Sequence, residues 1–439
     1  MIGGGTVGSG VFHALRRNGD LMAARIGVKV NVRRVAVKAL DEPRPYEIPA
    51  SVMTTDWRSV VEDPQVDLVS ELVGGTTLAR TITLAALRLG KPVITANKAL
   101  LSACGKELFA AAQQSGANLY YEASVCGGIP IIKSLREGFV GNRINQIYGI
   151  VNGTCNYILT RMKLEGADFN AVLKDAQEQG YAEAEPSLDI DGHDALHKIG
   201  ILASLAHGFW VEPEDIYVEG IRAITPTDIH FAGQLGYTIK LLAIIKQIAG
   251  SAAAGGGRKK GRGTRVQVSV YPTLVPNGHV LASVNHVFNA VFVRGDVVGD
   301  TLFYGRGAGS DATASAVLSD LADAALDLKF GTKHRVPPFV PHELDGAVLS
   351  IDDVQSRCFV RLEVQDVPGT LARIATILGH ARIGISSVIQ PEGHEGASVP
   401  LILMLHTAPG GAVTKALKKI GQLPVVKATP VMIRVENFD

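Results

Sequence analysis

The chain has 439 residues, room for two or three domains with a sizeable core, and its 43 Lys and Arg balance 42 Asp and Glu. Bulk charge therefore draws it neither to nucleic acid nor to an anionic membrane surface. No apolar run of about 18 residues marks a membrane span, no secretory leader opens the chain, and Cys104, Cys126, Cys155 and Cys358 form neither CxxC nor a paired framework, so a reducing cytoplasm is expected.

Gly3, Gly5 and Gly8 have G-x-G-x-x-G spacing, with Thr6 and Val7 opening a helix that runs to Gly19. In a dinucleotide loop the first glycine turns tightly, the second admits a pyrophosphate to the backbone, and the third packs helix on strand. Only Met1 and Ile2 precede the loop, so the strand this motif requires is nearly missing, and a glycine-rich helix start is the competing reading. Residues 28–40 are predicted to form the second strand, whose end meets the cofactor's ribose. An acid there takes the 2′-hydroxyls of NAD and a base the 2′-phosphate of NADP. Lys38 favours NADP, with Asp41 and Arg44 following, although a solvated strand-end lysine would look the same.

Residues 66–73, leading to Gly74 and Gly75, and residues 91–96, leading to Asn97 and Lys98, read as buried parallel strands flanking a helix at 78–89. Ligands collect at the carboxyl ends of such strands, which places Gly74, Thr95, Asn97 and Lys98 near a nicotinamide; Lys98 is equally an ordinary lysine at a helix start. Residues 119–125 close this unit, and a loop from Cys126 leads into a helix. Beyond it come a strand over 142–151, a turn at Asn152, Gly153 and Thr154, and helices from about 156 and over 169–179.

Residues 176–198 concentrate acids, a turn at Pro186 and Gly192, and one lysine ahead of an apolar helix. Asp194 and Lys198 stand at i,i+4, and Glu183, Glu185, Asp189 and Asp191 can converge on the same helix start. A lysine desolvated in an apolar wall lowers its pKa toward neutrality and, tuned by a carboxylate, can give a proton to a carbonyl. The plainer reading is a snorkelling lysine in a surface ion pair.

Residues 228–248 are predicted helical, and 251–264 a flexible solvated insertion whose basic residues lack interleaved aromatics for a polyanion. Further strands lead to the glycine loop at 305–309, a helix at 310–328 and a proline-rich linker over 334–346. A strand at 357–364, the run Asp366 to Leu371, a helix to about 380, strands at 383–390 and 400–407, a helix at 411–421 and a strand at 431–435 complete a βαββαβ unit.

Ala176, Gly180, Tyr181, Pro186, Asp189, Ile190, Gly192, Asp194 and Lys198 resemble, in identity and spacing, the signature of the homoserine dehydrogenase family. TANKALLS at 95–102 and GIVNGTCNYIL at 149–159 are similar to other motifs of that family, and the Asp366 to Leu371 run resembles an ACT domain. The resemblance covers nearly the whole chain. It implies an α/β protein: a Rossmann-type doubly wound NAD(P) domain at 1–125 with a truncated first strand, and an α+β catalytic and dimerisation domain at 126–330. The helix at 310–330 would pack back on the first domain, and a linker at 331–354 would lead to a ferredoxin-like ACT regulatory domain at 355–437.

The implied reaction is reversible reduction of L-aspartate 4-semialdehyde to L-homoserine with NADP or NAD, a step toward threonine, methionine and isoleucine. Carried onto matching positions, Lys198 is the proton donor, Lys98 the alternative donor and a contact of cofactor and substrate, and Asp189 a support for catalysis. Glu183 and Asp194 would bind the substrate's ammonium and hydroxyl, beside Gly180, Asn152, Gly153 and Thr154, while Gly307 and Gly309 close over the nicotinamide. A monovalent cation, sodium, is implied at Glu122, Val125, Gly127 and Ile129 through main-chain carbonyls, with Cys126 a small packing residue among them. The ACT unit implies an amino-acid effector, threonine, near Asp366, Pro368, Gly369, Leu371 and Gly384 of a paired copy, hence a homodimer or tetramer. Two competing readings are a catalytically silent amino-acid sensor, which would have no chemical need for the lysines and acids, and another amino-acid dehydrogenase of related fold.

Overall fold

The computed structural model describes residues 1–248, 263–332, 335–392 and 397–438, so the insertion predicted at 251–264 lies almost wholly outside the described residues. The N-terminal layer is a parallel sheet. Strands Val69–Glu71, Val93–Thr95 and Leu119–Tyr120 pair in that order, and Val35–Ala36 pairs with Met53–Thr54. Ile2 joins the two sets by bridging Ala36 on one side and Glu71 on the other. The spatial order is thus the doubly wound one, with Ile2 in the place of the central first strand.

That short first strand explains a correction. Residues 28–34, predicted as part of a strand, are irregular up to Val35. A strand needs a ladder partner, and the ladder ends where the Met1 amine donates to the Arg34 carbonyl at 2.9 Å. Beside Met1 lies a groove of 960 Å³ lined by Val28, Val30 and Val32 on one wall and Val66 and Leu68 on the other. Helices Thr6–Ile26 and Ser310–Phe330 cover one face of this sheet; Thr77–Arg88 and Lys98–Ser115 pack against each other elsewhere in the layer.

Among the described residues, the second layer is a mixed 11-stranded sheet. Its order starts with Gly299–Arg306, Phe288–Gly295, Ile144–Ile150, Tyr237–Gln247 and Arg265–Pro276. The predicted helix at 228–248 is therefore corrected to a short helix, Pro226–Gln234, followed by a strand. The run from Thr238 to Ile245 is buried throughout, because neighbours pair along both strand edges and helices cover its faces. Periodicity alone does not separate such a strand from a buried helix.

The C-terminal unit forms as predicted. Strands Gln355–Gln365, Ile385–Ile389, Ser398–Pro409 and Val431–Val435 and helices Thr370–His380 and Gly410–Ile420 alternate βαββαβ around a buried cluster of their own. Its last strand pairs in parallel with Arg265–Pro276, fusing the two sheets edge to edge. Arg361 adds a 2.7 Å ion pair to Asp228, whose side chain is fully buried at the start of helix Pro226–Gln234.

Candidate active site

The carboxyl end of the N-terminal sheet is shaped by glycine. Gly3 has φ +103°, and a Cβ on Gly8 would lie 2.1 Å from the Gly3 carbonyl oxygen, so no larger residue fits either position. Gly5 faces open space and precedes helix Thr6–Ile26 without a side-chain cap. The first N–H groups of the helix are therefore uncapped donors at the cleft that Gly5, Thr6 and Val7 line, a fit for a dinucleotide pyrophosphate.

Two further loops are tied together by the buried carboxylate of Glu71. Its oxygens accept from the Val73 N–H at 2.9 Å and from Thr95 Oγ1 at 2.7 Å. Asn97 caps helix Lys98–Ser115 and donates to the Gly75 carbonyl at 2.7 Å. Thr95 is thus fully buried support and not a lining residue, a correction to its expected contact; Gly74, Asn97 and Lys98 do line the cleft. Lys38 is exposed and lies outside it. Arg44 is the base beside the glycine loop: its Nε lies 3.5 Å from where a Cβ of Gly4 would be, and its guanidinium donates to the Ala39 and Leu40 carbonyls. That Nε is buried with no hydrogen-bond partner among the described residues.

Across the cleft, helix His193–His207 presents Asp194, the hub of the site. Asp194 Oδ2 accepts from Lys198 Nζ at 2.7 Å and from Asn152 Nδ2 at 2.9 Å, and Oδ1 meets Lys98 Nζ at 3.1 Å. One carboxylate thus spans two ammonium groups, one from each layer. Burial alone would raise the Asp194 carboxyl, but the charges of Lys198 and Lys98 outweigh it and hold the group well below the usual range. For Lys198 burial pulls downward and is likewise outweighed, chiefly by Asp194, so its pKa is raised. The expectation of a lysine lowered toward neutrality is corrected: the carboxylate wins over desolvation, and Lys198 stays an ammonium whose other donor bond goes to the Val151 carbonyl at 2.6 Å.

Asn152 caps helix Gly153–Glu165 and donates to Asp189 Oδ1 at 2.7 Å as well as to Asp194, while the single hydroxyl proton of Thr154 is shared between the Tyr181 carbonyl at 2.8 Å and Asp189 Oδ2 at 3.2 Å. The cleft comprises two adjoining parts. A 620 Å³ part runs along Gly5 to Val7, Gly74 and Lys98, and a 500 Å³ part holds Asn152 to Thr154, Gly180 and Lys198. Gly307 and Gly309 line the second part, and Ser310 Oγ donates to the Thr6 carbonyl at 3.0 Å, tying this late loop to the first helix. Glu183 stands exposed at the rim of the first part.

Residues 3–122 match the family described as homoserine dehydrogenase, NAD binding domain, and residues 130–322 that described as homoserine dehydrogenase. A homoserine dehydrogenase of Pseudomonas aeruginosa is 41% identical over 444 aligned positions, covering 100% of this chain and 98% of that one. The chain belongs to the homoserine dehydrogenase family. The crystal structure of a homoserine dehydrogenase from Thiobacillus denitrificans superposes with a TM-score of 0.90 at 41% identity, covering 100% of this chain and 97% of that one. A hyperthermophilic archaeal homoserine dehydrogenase, solved in complex with NADPH, covers 74% of this chain and 97% of its own, with a TM-score of 0.59 at 26% identity.

Within this homoserine dehydrogenase fold, the loop expected to hold a cation lines the second part of the cleft through Ala123, Ser124, Cys126 and Gly127. The Glu122 carboxylate accepts from the N–H groups of Ile132 and Lys133 at 3.0 and 2.7 Å, and burial pushes it up to about 7. Cys126 takes φ +51°, and its carbonyl accepts from Ile129 N–H at 2.6 Å. The buried carbonyls of Val125 and Gly127 accept no hydrogen bond from the described residues, which suits oxygen ligation of a small cation. In the C-terminal unit Gly369 has φ +90° at the start of helix Thr370–His380, Asp366 accepts from Gln390 Nε2 at 2.9 Å, and Gly384 packs against the ring of His406. Pro368 and Leu371 are exposed there. Two lining features escaped the sequence. His197 shares the cleft-facing stripe of Asp194 and Lys198, and its i+3 spacing was the available signal. Asn289 lies between Gly307 and the Cys126 thiol and became visible only through the fold.

Proposed function

We propose that the chain interconverts L-aspartate 4-semialdehyde and L-homoserine, with Lys198 as the proton donor. The observation that carries this reading is the Asp194 carboxylate held between the Lys198 and Lys98 ammonium groups, at the junction of the glycine-loop cleft and the Asn152 to Thr154 turn. A nicotinamide dinucleotide held at Gly3, Gly5, Thr6, Val7 and Gly8 supplies the hydride in one direction and accepts it in the other. Lys198 gives its proton to the aldehyde oxygen as that oxygen becomes a hydroxyl, and its charge stabilises the developing alkoxide. Asp194 aims Lys198 and balances its charge, and with Glu183 it offers carboxylates for the substrate's hydroxyl and ammonium. Asp189 fixes the Asn152 and Thr154 side chains. Lys98, half-exposed at the cleft, adds positive charge beside substrate and cofactor.

NADP is the favoured cofactor, and Arg44 joins Lys38 as a base supporting that choice: its buried Nε, without a hydrogen-bond partner among the described residues, sits beside the glycine loop. A sodium ion held by the carbonyls of Glu122, Val125, Gly127 and Ile129 would brace this loop in the cleft wall. The C-terminal unit reads as an ACT domain that binds threonine near Asp366, Pro368, Gly369, Leu371 and Gly384 in a dimer or tetramer, and its strand fusion to the catalytic sheet offers a route for inhibition. The deciding experiment follows nicotinamide absorbance with NADP⁺ or NAD⁺ and L-homoserine. Turnover with homoserine, faster with NADP⁺ and absent with serine, is expected; threonine binding with no turnover, even in excess cofactor, would shift the reading to an amino-acid sensor.

A further inference from the structure

Lys240 lies in strand Tyr237–Gln247 with 1% of its surface exposed, and the catalytic scheme does not use it. Among the described residues its ammonium donates to neutral oxygens alone: Asn156 Oδ1 at 3.0 Å, Asn285 Oδ1 at 3.2 Å and the Val284 carbonyl. Burial, with Lys163 nearby, pushes its pKa down to about 7. A buried lysine without a carboxylate is costly, and an aliphatic side chain of similar length would fill the space without that cost. What the amine adds is direction, because its three acceptors come from two segments that both border the cleft.

The first segment is helix Gly153–Glu165. Asn156, one turn into it, also shares its two Nδ2 N–H groups among the carbonyls of Val284, His286 and Phe288, at 3.1, 2.9 and 3.2 Å. The second segment is the loop over 284–288. It is held again by Thr160 Oγ1, which accepts from the His286 N–H at 3.0 Å, and its His286 takes φ +58°. This loop closes against the substrate turn: a Cβ on Gly153 would lie 2.9 Å from the Val287 carbonyl oxygen. Val287 and Asn289 then line the same part of the cleft as Asn152, Thr154 and Lys198.

We infer that Lys240 is a positioning residue which, through Asn156 and the 284–288 loop, seats the Val287 wall against the Asn152 to Thr154 turn and so sets the width of the substrate cleft. The inference rests on the reading of that turn as the homoserine site. Lys240→Met keeps the side-chain length and removes the donors. It should raise the KM for homoserine about tenfold, the equivalent of one lost buried hydrogen bond, with kcat reduced less than about threefold and NADPH affinity unchanged. Lys240→Arg, which restores donors, should recover part of the loss. A purely structural role would lower the active fraction, and so kcat, with KM unmoved; that result, or a homoserine KM within about twofold of the parent, overturns the inference. If Lys240→Met does not fold, Asn285→Ala, which removes one acceptor at a partly exposed position, should raise KM about two- to threefold, and an unchanged KM overturns the inference equally. Failure of the homoserine reading itself would look different, since the parent protein would then not oxidise homoserine at all.

Discussion

Replacing Lys198 with methionine tests the catalytic scheme most directly. The Lys198 side chain is 9% exposed, and its ammonium donates to Asp194 Oδ2 at 2.7 Å and the Val151 carbonyl at 2.6 Å. Losing these bonds costs about 1.5–3 kcal/mol for a charge-assisted contact, yet the variant no longer has to desolvate an ammonium, a penalty of several kcal/mol. Asp194 keeps Lys98 as a counter-charge at 3.1 Å, although that lysine is 38% exposed and its attraction is screened. The fold should therefore survive with a stability change within about 2 kcal/mol, while the loss of proton donation and alkoxide stabilisation lowers kcat by at least about 10²-fold, or roughly 2.7 kcal/mol in the barrier. Steady-state turnover of homoserine and fluorescence titration with NADPH separate the two effects, and cofactor affinity should stay within about twofold. Lys98→Met, which removes the outer lysine of the pair, should act more on KM than on kcat. If Lys198→Met kept kcat within about threefold while Lys98→Met lost 10²-fold, the proton donor would be Lys98 and the scheme would be wrong.

Two dependences on pH follow from the buried charges. Because the folded pKa of Lys198 is raised, homoserine oxidation, which needs the neutral amine, should climb with pH and level off above the ordinary lysine value of about 10.4. The stabilisation from its pairing with Asp194 is full below that value and lost as pH rises through the raised one. Asp194→Asn removes the main upward influence, so the inflection in the pH–rate profile should fall by more than about one unit; an unmoved inflection would exclude Lys198 as the titrating group. His207 behaves oppositely: burial lowers its folded pKa to about 4, against about 6.5 in the unfolded chain. Stability should therefore be full above pH 6.5 and decline by about 3 kcal/mol as pH falls to 4. Urea midpoints of the parent and of His207→Leu across that range check this, since the variant should lose that share of the slope.

Much of the chemistry is legible in one dimension because it depends on local spacing. The Gly3, Gly5, Gly8 spacing allows a tight turn into a helix, and Asp194 and Lys198 share a helix face at i,i+4 wherever that segment is helical. The βαββαβ order of the C-terminal unit is similarly local, carried by alternation, a turn-forming Asp366 to Gly369 run and short connections. Thr95 and the helix predicted at 228–248 came out differently for one reason: each depended on neighbours far away in the chain. Thr95 turns inward to Glu71, and strand Tyr237–Gln247 exists because strands on both sides pair with it. The sequence by itself determined which residues could turn, pair or titrate. Tertiary structure alone decided the charge state of Lys198, because the contest between desolvation and the Asp194 carboxylate is settled by burial and by distances of about 3 Å, and neither can be read from spacing along the chain.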